Sequence, residues 1–373
     1  MLLARHNPGI AAGAWLNAQR STLNAQRSTL NDSFRKEDIV LRIGILGASG
    51  IAPAAVIHPA ARREDVAIVA VASRRASTAA AYAATHGIER SYDDYRALLA
   101  DPDIDLVYNS LPPSEHAEWS IAALEAGKDV LCEKPFAMNA VQAERMLKAA
   151  DATGRRLIEA FHDRYHPLSL EIDALVASKR LGDIVSLRAD FSVSNAFEPS
   201  GIRHDPKLGG GALMDLGCYP LHWVRALMNE EPTVVSAIAA TNPLGADSSI
   251  DTELRFPSGT TARITASMDA GPTEISTLDI VGTLGTLHVN NLVFPSAGHS
   301  ISETIDGITR VSTVRGRTTY DHQLEAIIVG LKNHTALPTE GADSLNNMIA
   351  IDAIYAAAGL DRSFVEESPA APR

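Results

Sequence analysis

Cysteine is nearly absent. Cys132 and Cys218 are the only two in 373 residues, so no disulfide framework holds this chain together. Blocks of basic residues are missing too, and the formal net charge is −12. That balance argues against nucleic acid or an anionic membrane surface as a main partner. No apolar run is long enough to span a bilayer, and no set of side chains has metal-ligand spacing. Acidic residues are lacking before Asp32, whereas Arg5, Arg20 and Arg27 precede it. In the same stretch "LNAQRSTLNAQRSTL" (16–30) repeats a seven-residue block in tandem. An acid-poor start with arginine and serine fits a transit peptide. Without an apolar h-region or a twin-arginine pair, the expectation is a disordered extension over 1–38 or a mis-assigned start. The tail "EESPAAPR" (366–373) is also expected to be disordered.

The whole chain, 46% hydrophobic and 21% charged, has the composition of a soluble globular protein, with length enough for two cores. Short apolar runs, "IVLRIGILG", "VAIVAVAS", "IDLVYNSLPP", "KDVLCEKP" and "RRLIEAF", alternate with helical stretches up to about residue 160. Gly87 and Gly127 stop two of these helices, and Ser114 reads as an N-cap. Continuous apolar strands between amphipathic helices predict an α/β fold, a doubly wound parallel sheet over 39–160. Beyond it, closely spaced strands ("DIVSLRADFSV", "TVVSAIAAT", "IDTELRFPSG", "TTARITASM", "EISTLDIVG", "GTLHVNNLVF") predict an antiparallel or mixed sheet, closed by two helices, over 161–365.

The first strand ends "ILGASGIAP", read as G-x-S-x-x-A from Gly47 through Ser49 to Ala52. This is close to the dinucleotide fingerprint G-x-G-x-x-G/A, with Ser49 where a glycine lets backbone approach the pyrophosphate. The second strand ends in Ser73, Arg74 and Arg75, with no carboxylate for a ribose 2′-hydroxyl. A hydroxyl and guanidinium groups suit a 2′-phosphate, so NADP is expected over NAD. Ligands of open α/β sheets sit beyond the carboxyl ends of the strands. The expected cofactor contacts are therefore Gly47, Ser49, Gly50, Ile51 and Ala52 in the first turn and Ser73, Arg74 and Arg75 in the second. Leu111, Pro112, His116, Glu133 and Lys134 follow at later strand ends. His116 has two readings, beside the nicotinamide ribose or within the first turn of its helix.

"VLCEKPF" fixes a lysine at a strand end. Glu133 and Lys134 are adjacent on extended chain and point to opposite faces, so they need not pair. In "LGGGALMDLGCYPLH" three glycines permit close approach of backbone to a ligand. Asp215 and Tyr219 are spaced for one helical face and His222 for the next turn, although Pro220 makes the helix start irregular. An Asp, a Tyr and a Lys converging on a hydroxyl form a proton-transfer set, with nearby cations lowering the tyrosine pKa. Cys218 reads as a small packed residue.

"RIGILGASGIA", "EKP", "EAFHDRYHP" and "GGGALMDLGCYP", in this order, resemble the glucose-fructose oxidoreductase/inositol dehydrogenase (Gfo/Idh/MocA) family over about residues 40–360. "DLGCYP", with tyrosine where inositol dehydrogenases carry histidine, resembles the branch of dihydrodiol dehydrogenases and NADP-dependent xylose dehydrogenases. The resemblance implies a Rossmann domain and then an α+β domain whose mostly antiparallel sheet forms a dimer interface on its open face. It implies Lys134 and Tyr219 as the catalytic pair, Asp215 as the substrate-orienting residue and a cis Lys134–Pro135 bond. Relatives often carry asparagine where this chain has Pro113. His162, Arg164 and His166 line the pocket by the resemblance, or sit partly exposed at a domain junction. His222 is a further substrate candidate.

The expected activity is a cytoplasmic, homodimeric or homotetrameric NADP-dependent oxidoreductase. It moves hydride between the nicotinamide and a carbinol carbon of a sugar or vicinal diol. The alternatives are an aldose or anhydrosugar reductase, a sugar-to-sugar oxidoreductase with retained cofactor, and a non-catalytic nucleotide-binding sensor.

Overall fold

Apolar runs of four to seven residues, too short for core helices and bounded by glycine or proline, form strands covered on both faces. The chain's computed structural model describes residues 40–269, 274–360 and 362–365; the duplicated block at 16–30 and the tail at 366–373 lie outside the described residues. Strands β1 (Leu41–Leu46), β2 (Val66–Ala72), β3 (Arg90–Tyr92), β4 (Leu106–Asn109), β5 (Asp129–Cys132) and β6 (Leu157–Glu159) form one sheet in the order β3-β2-β1-β4-β5-β6. The pairs β1–β4, β2–β3, β4–β5 and β5–β6 are parallel. Ile43, Ile45, Leu46, Val107, Val130 and Leu131 are buried, with helices Ala76–His86, Pro113–Glu125 and Ala140–Thr153 between the strands. The chain reverses its direction of travel across the sheet between β1 and β4, which opens a crevice at their carboxyl ends.

Local signals hold at most helix ends. Gly87 and Gly154 adopt left-handed φ of 66° and 64°, and the Asn139 side chain accepts from the Gln142 amide. The Ser114 cap is corrected: Pro112 is the N-cap residue and Pro113 the first helical one. A proline there costs nothing, because its φ suits a helix and its missing N–H would have had no partner.

The second sheet contains β7 (Ile184–Ser192), β8 (Thr233–Thr241), β9 (Asp247–Arg255), β10 (Thr261–Ser267), β11 (Ile275–Gly282), β12 (Gly285–Asn290), β13 (Ser300–Ile305) and β14 (Ile308–Ser312). Their order is β14-β13-β12-β11-β7-β10-β9-β8, with the β7–β10 pair parallel and the others antiparallel. One face is core: Ile250 and Leu254 on β9 are buried while Glu253 between them is exposed, the period-two pattern of a half-covered sheet. The helix Cys218–Met228 packs on this face, against β7 and β10. The β13–β14 hairpin has little apolar content. Its signal is Asp306–Gly307, at φ of 52° and 74°, the positive pair that a tight two-residue turn needs.

The last two helices, Thr319–Asn333 and Ala342–Ala357, return to the first sheet. Arg62 pairs with Asp321 at 2.5 Å, and Asp352 accepts from the Ala140 amide at 2.8 Å. Beside β6, Thr339 and Glu159 exchange two hydrogen bonds. Arg156 grips Glu340 through Nε and Nη2 and donates through Nη1 to the Gly330 carbonyl at 2.8 Å. These ties fasten the last two helices to the first sheet. Replacing Arg156 with Met is expected to cost about 2 kcal/mol, read as a lower denaturant midpoint with unchanged slope.

Candidate active site

Strand β5 sets the position of Lys134. Its pairing runs one residue past the strand, the Glu133 amide donating to the Asn109 carbonyl at 3.0 Å. Side chains then alternate. Glu133 accepts from the Tyr108 hydroxyl at 2.6 Å, while Lys134 donates through Nζ to Asp215 Oδ1 at 3.0 Å and to the Asp215 carbonyl at 2.7 Å. The two neighbours do not pair, and the Lys134–Pro135 peptide is cis.

Asp215 lies in a π-helical turn, Leu213–Gly217, that leads into the helix Cys218–Met228. Pro220 cannot donate to the carbonyl four residues back, so regular α-helix does not extend through this turn. Asp215 and Tyr219 both reach Lys134, but differently. The ammonium lies over the tyrosine ring, 5.2 Å from its centroid, rather than beside the hydroxyl. The Tyr219 hydroxyl instead lies 3.0 Å from His162 Nε2. Phe161 and Phe191 hold its ring edge-on at 5.3 and 5.4 Å.

Burial works against the Lys134 charge, but Asp215, together with Cys218 and Glu133, holds the ammonium above the usual lysine value. Burial likewise opposes the Asp215 carboxylate, and Lys134 with Arg203 keeps it below the ordinary carboxylate range. The pair is thus ionised at neutral pH. Asp215's share of the stability is present above the unfolded carboxylate pKa and is lost as pH falls through its lowered value. Lys134's share is present below the unfolded lysine pKa and is lost as pH rises through its raised value. Tyr219 departs from the expectation of a lowered pKa. It is 3% exposed, and burial pushes the phenol well above its usual value, reinforced by Tyr320 and Asp163. A cation over the ring face does not reach the oxygen closely enough to reverse this.

The role read for the glycine run is also corrected. A Cβ on Gly209 would strike Pro113, one on Gly210 the backbone of Ile202 and Arg203, and one on Gly211, at φ 132°, the Asp247 carboxylate. The close approach is to the chain itself. Asp247 in turn accepts from the Leu213 amide and the Tyr355 hydroxyl, which seats the turn carrying Asp215.

Other candidates are engaged elsewhere. His116 is buried in its helix's first turn, its ring nitrogens 2.9 and 2.8 Å from the Pro135 and Leu111 carbonyls. It braces two loops, and neither nitrogen is free for a ribose hydroxyl, which corrects its place among the cofactor contacts. Arg164 pairs with Asp173 at 2.5 Å. His166 caps the helix Pro167–Ala177, accepting from the Leu168 amide at 3.0 Å. His222 stacks on Phe161 at 4.3 Å and bonds Asp343 at 2.9 Å. His162 and His166 are buried rather than partly exposed, whereas Arg164 is half-buried; His222 and Cys218 are buried too. Three participants had no sequence signal. Arg203 donates to Asp215 Oδ2 at 2.8 Å, Tyr108 holds Glu133, and Thr319 Oγ1 lies 2.7 Å from His162 Nδ1.

The first turn fits a dinucleotide. Gly47 has φ 96°, where a Cβ would press on Leu111, and a Cβ at Gly50 would meet open space. Ser49 supports the turn by accepting from the Ala52 amide at 3.3 Å, so the hydroxyl in the glycine position has a local use. Ser73, Arg74 and Arg75 directly follow β2, and the Arg74 side chain is 75% exposed beside Glu115. Gly47, Ser49, Gly50, Ile51 and Ala52 would hold the diphosphate of NADP, and Ser73, Arg74 and Arg75 its 2′-phosphate.

Comparison with known proteins agrees with this geometry. Residues 41–161 match the oxidoreductase family with NAD-binding Rossmann fold, and residues 169–288 match the GFO/IDH/MocA C-terminal domain. The chain is 34% identical over 320 residues to a D-xylose 1-dehydrogenase (NADP(+)) of Haloferax volcanii, covering 85% of this chain and 97% of that one. It is 34% identical over 226 residues to a trans-1,2-dihydrobenzene-1,2-diol dehydrogenase of Xenopus tropicalis, covering 60% of this chain and 67% of that one. A variant of a 3-ketoreductase from Actinomadura kijaniata, solved with TDP-benzene and NADP, superposes with a TM-score of 0.79 at 26% identity, over 85% of this chain and 98% of that chain. By its two matched segments and its identity to relatives over most of their length, the chain belongs to the Gfo/Idh/MocA family of oxidoreductases.

Proposed function

We propose that this protein is an NADP-dependent oxidoreductase acting on a carbinol carbon of a sugar or vicinal diol. The observation that carries the reading is the buried Lys134–Asp215 ion pair beside Tyr219 at the carboxyl end of a parallel sheet. NADP, when bound, supplies or takes up the hydride. Tyr219 Oη exchanges the hydroxyl proton, and the Lys134 ammonium steadies negative charge growing on the substrate oxygen. Asp215 orients Lys134 and, through its second oxygen, is itself oriented by Arg203. Aromatic and aliphatic burial around Tyr219 keeps water from competing for that proton.

One observation favours the reverse, aldose-reducing reading. A phenol whose pKa is pushed up by burial keeps its proton at neutral pH and is ready to donate it to a carbonyl oxygen. In this proposal residues 39–160 bind the cofactor, while 161–365 bind substrate and form the contacts of a cytoplasmic homodimer. The Val185, Ile238, Val281 and Val311 side chains, exposed on the second sheet's strands, supply apolar area for that contact.

Replacing Tyr219 with Phe is expected to lower turnover at least about a hundredfold while NADP affinity, read by quenching of intrinsic fluorescence, stays unchanged. Replacing Arg74 and Arg75 together with Ala is expected to raise the KM for NADP about ten- to a hundredfold. The same change should leave the KM for NAD within a factor of about two, since NAD offers the arginines no phosphate to bind; initial rates with each cofactor check both statements.

A further inference from the structure

Tyr219 does not act alone. Its hydroxyl lies 3.0 Å from His162 Nε2, and His162 Nδ1 lies 2.7 Å from Thr319 Oγ1. His162 and Thr319 are each 2% exposed. Tyr320 and Phe294 flank the imidazole at 4.1 and 5.8 Å, and Lys134 is the charged group that acts on it.

The partners of this imidazole are unusual within the molecule. His299 faces a carbonyl through Nδ1 and an amide through Nε2. His166 and His322 each accept from an amide. His116 faces carbonyls, and His222 and His288 face carboxylates. An amide can only donate, and a carbonyl or carboxylate can only accept, so the partners of His166, His222, His288, His299 and His322 decide which nitrogen carries a proton, whereas His116, between two carbonyls, can donate to only one of them. Of the histidines with hydrogen-bonded ring nitrogens among the described residues, His162 alone has a hydroxyl on each nitrogen. A hydroxyl donates or accepts by turning, so both neutral tautomers of His162 are fully satisfied.

We propose that His162 is a positioning residue for Tyr219, its tautomer deciding whether the phenol offers a lone pair or a proton to the reacting oxygen. With the proton on Nδ1, donated to Thr319, Nε2 accepts the Tyr219 O–H and the phenol oxygen is free to accept from a substrate alcohol. With the proton on Nε2, that N–H donates to the phenol oxygen and Thr319 donates to Nδ1. The phenol proton then points at a substrate carbonyl. The number of protons is the same in both arrangements, and neither introduces a charge. The site can therefore receive substrate in either oxidation state without ionising a phenol that burial holds neutral.

Thr319 is suited to this role. It opens the helix Thr319–Asn333 directly after the capping box of Thr318 and Asp321, and Asp321 is tied to Arg62 of the first sheet's domain. Its hydroxyl is thus held in place while free to rotate.

The inference rests on the reading of Tyr219 as the proton-transfer group, and the test separates the two. With D-xylose and NADP as the probe pair, His162→Phe is expected to reduce kcat about tenfold or more while the KM for D-xylose changes less than about threefold. His162→Gln, whose amide can accept or donate, should recover part of the loss, and Thr319→Ser should retain more activity than Thr319→Val. A purely structural histidine would lower the yield of folded protein and leave kcat per folded molecule unchanged. If His162→Phe does not fold, the Gln and Val variants carry the same comparison. An independent readout needs no turnover. In protein labelled with nitrogen-15 at histidine, the Nε2 shift of His162 should move in Tyr219→Phe and the Nδ1 shift in Thr319→Val. A His162→Phe enzyme with wild-type kcat, or nitrogen shifts indifferent to both substitutions, would overturn the proposal. Full activity in Tyr219→Phe would instead sink the role of Tyr219 itself.

Discussion

The ion pair between Lys134 and Asp215 is the constraint on which the rest of the structure depends. Its members are separated by 81 residues, one at a strand end of the parallel sheet and one in a π turn against the second sheet. Two largely buried charges so placed tolerate little relative movement, because a lone buried charge is strongly unfavourable. Much else serves to hold that geometry. The Arg156–Glu340 and Arg62–Asp321 pairs fasten the last helices to the first sheet. Asp247 seats the π turn, the glycine run lets that turn sit against Pro113 and the 202–203 backbone, and His116 braces the loop after β5. Arg203 satisfies the second Asp215 oxygen, so the carboxylate is shared between two cations rather than neutralised by one.

The pair also shapes the chemistry. Lys134 stays charged despite burial, because Asp215 and the neighbouring Glu133 and Cys218 together offset the cost of desolvation. In the proposed reaction that would leave a cation beside the substrate oxygen, in a setting where electrostatic interactions are weakly screened. Tyr219 has no such compensation at its oxygen, so it remains a neutral phenol. One charged and one neutral group side by side is the division of roles that the proposed proton transfer uses.

Much of this was legible in the amino-acid sequence where local rules govern. The apolar runs ending in Leu46, Ala72, Asn109 and Cys132 became parallel strands because a strand buried on both faces needs continuous apolar side chains. Lys134 and Tyr219 stood out through "EKP" and "DLGCYP". The failures share a different cause. The Asp215–Tyr219 spacing assumed α-helical periodicity, whereas Asp215 lies in a π turn; His222, inside the regular helix, touches the same Phe161 as Tyr219 and bonds Asp343, a partner that spacing does not reveal. The Tyr219 pKa was misjudged because proximity of a cation is visible in a motif, whereas burial and the face of the ring it meets are not. Arg203, Tyr108 and Thr319 carry no motif at all; Thr319 meets His162 across 157 residues, a contact that only the folded chain creates. Thr318 and Asp321 form a capping box at the start of that helix, but such a pattern does not tell what the first hydroxyl of the helix touches.

The most direct test of the central claim is the absorbance of reduced nicotinamide when purified protein meets NADP, and separately NAD, with a panel of aldoses, inositols and vicinal diols. The account predicts accumulation of NADPH with a sugar or diol, and slower or no reduction of NAD with the same compound. Bound NADP with no turnover of any panel member in either direction would contradict the assignment of Lys134 and Tyr219 as a working catalytic pair.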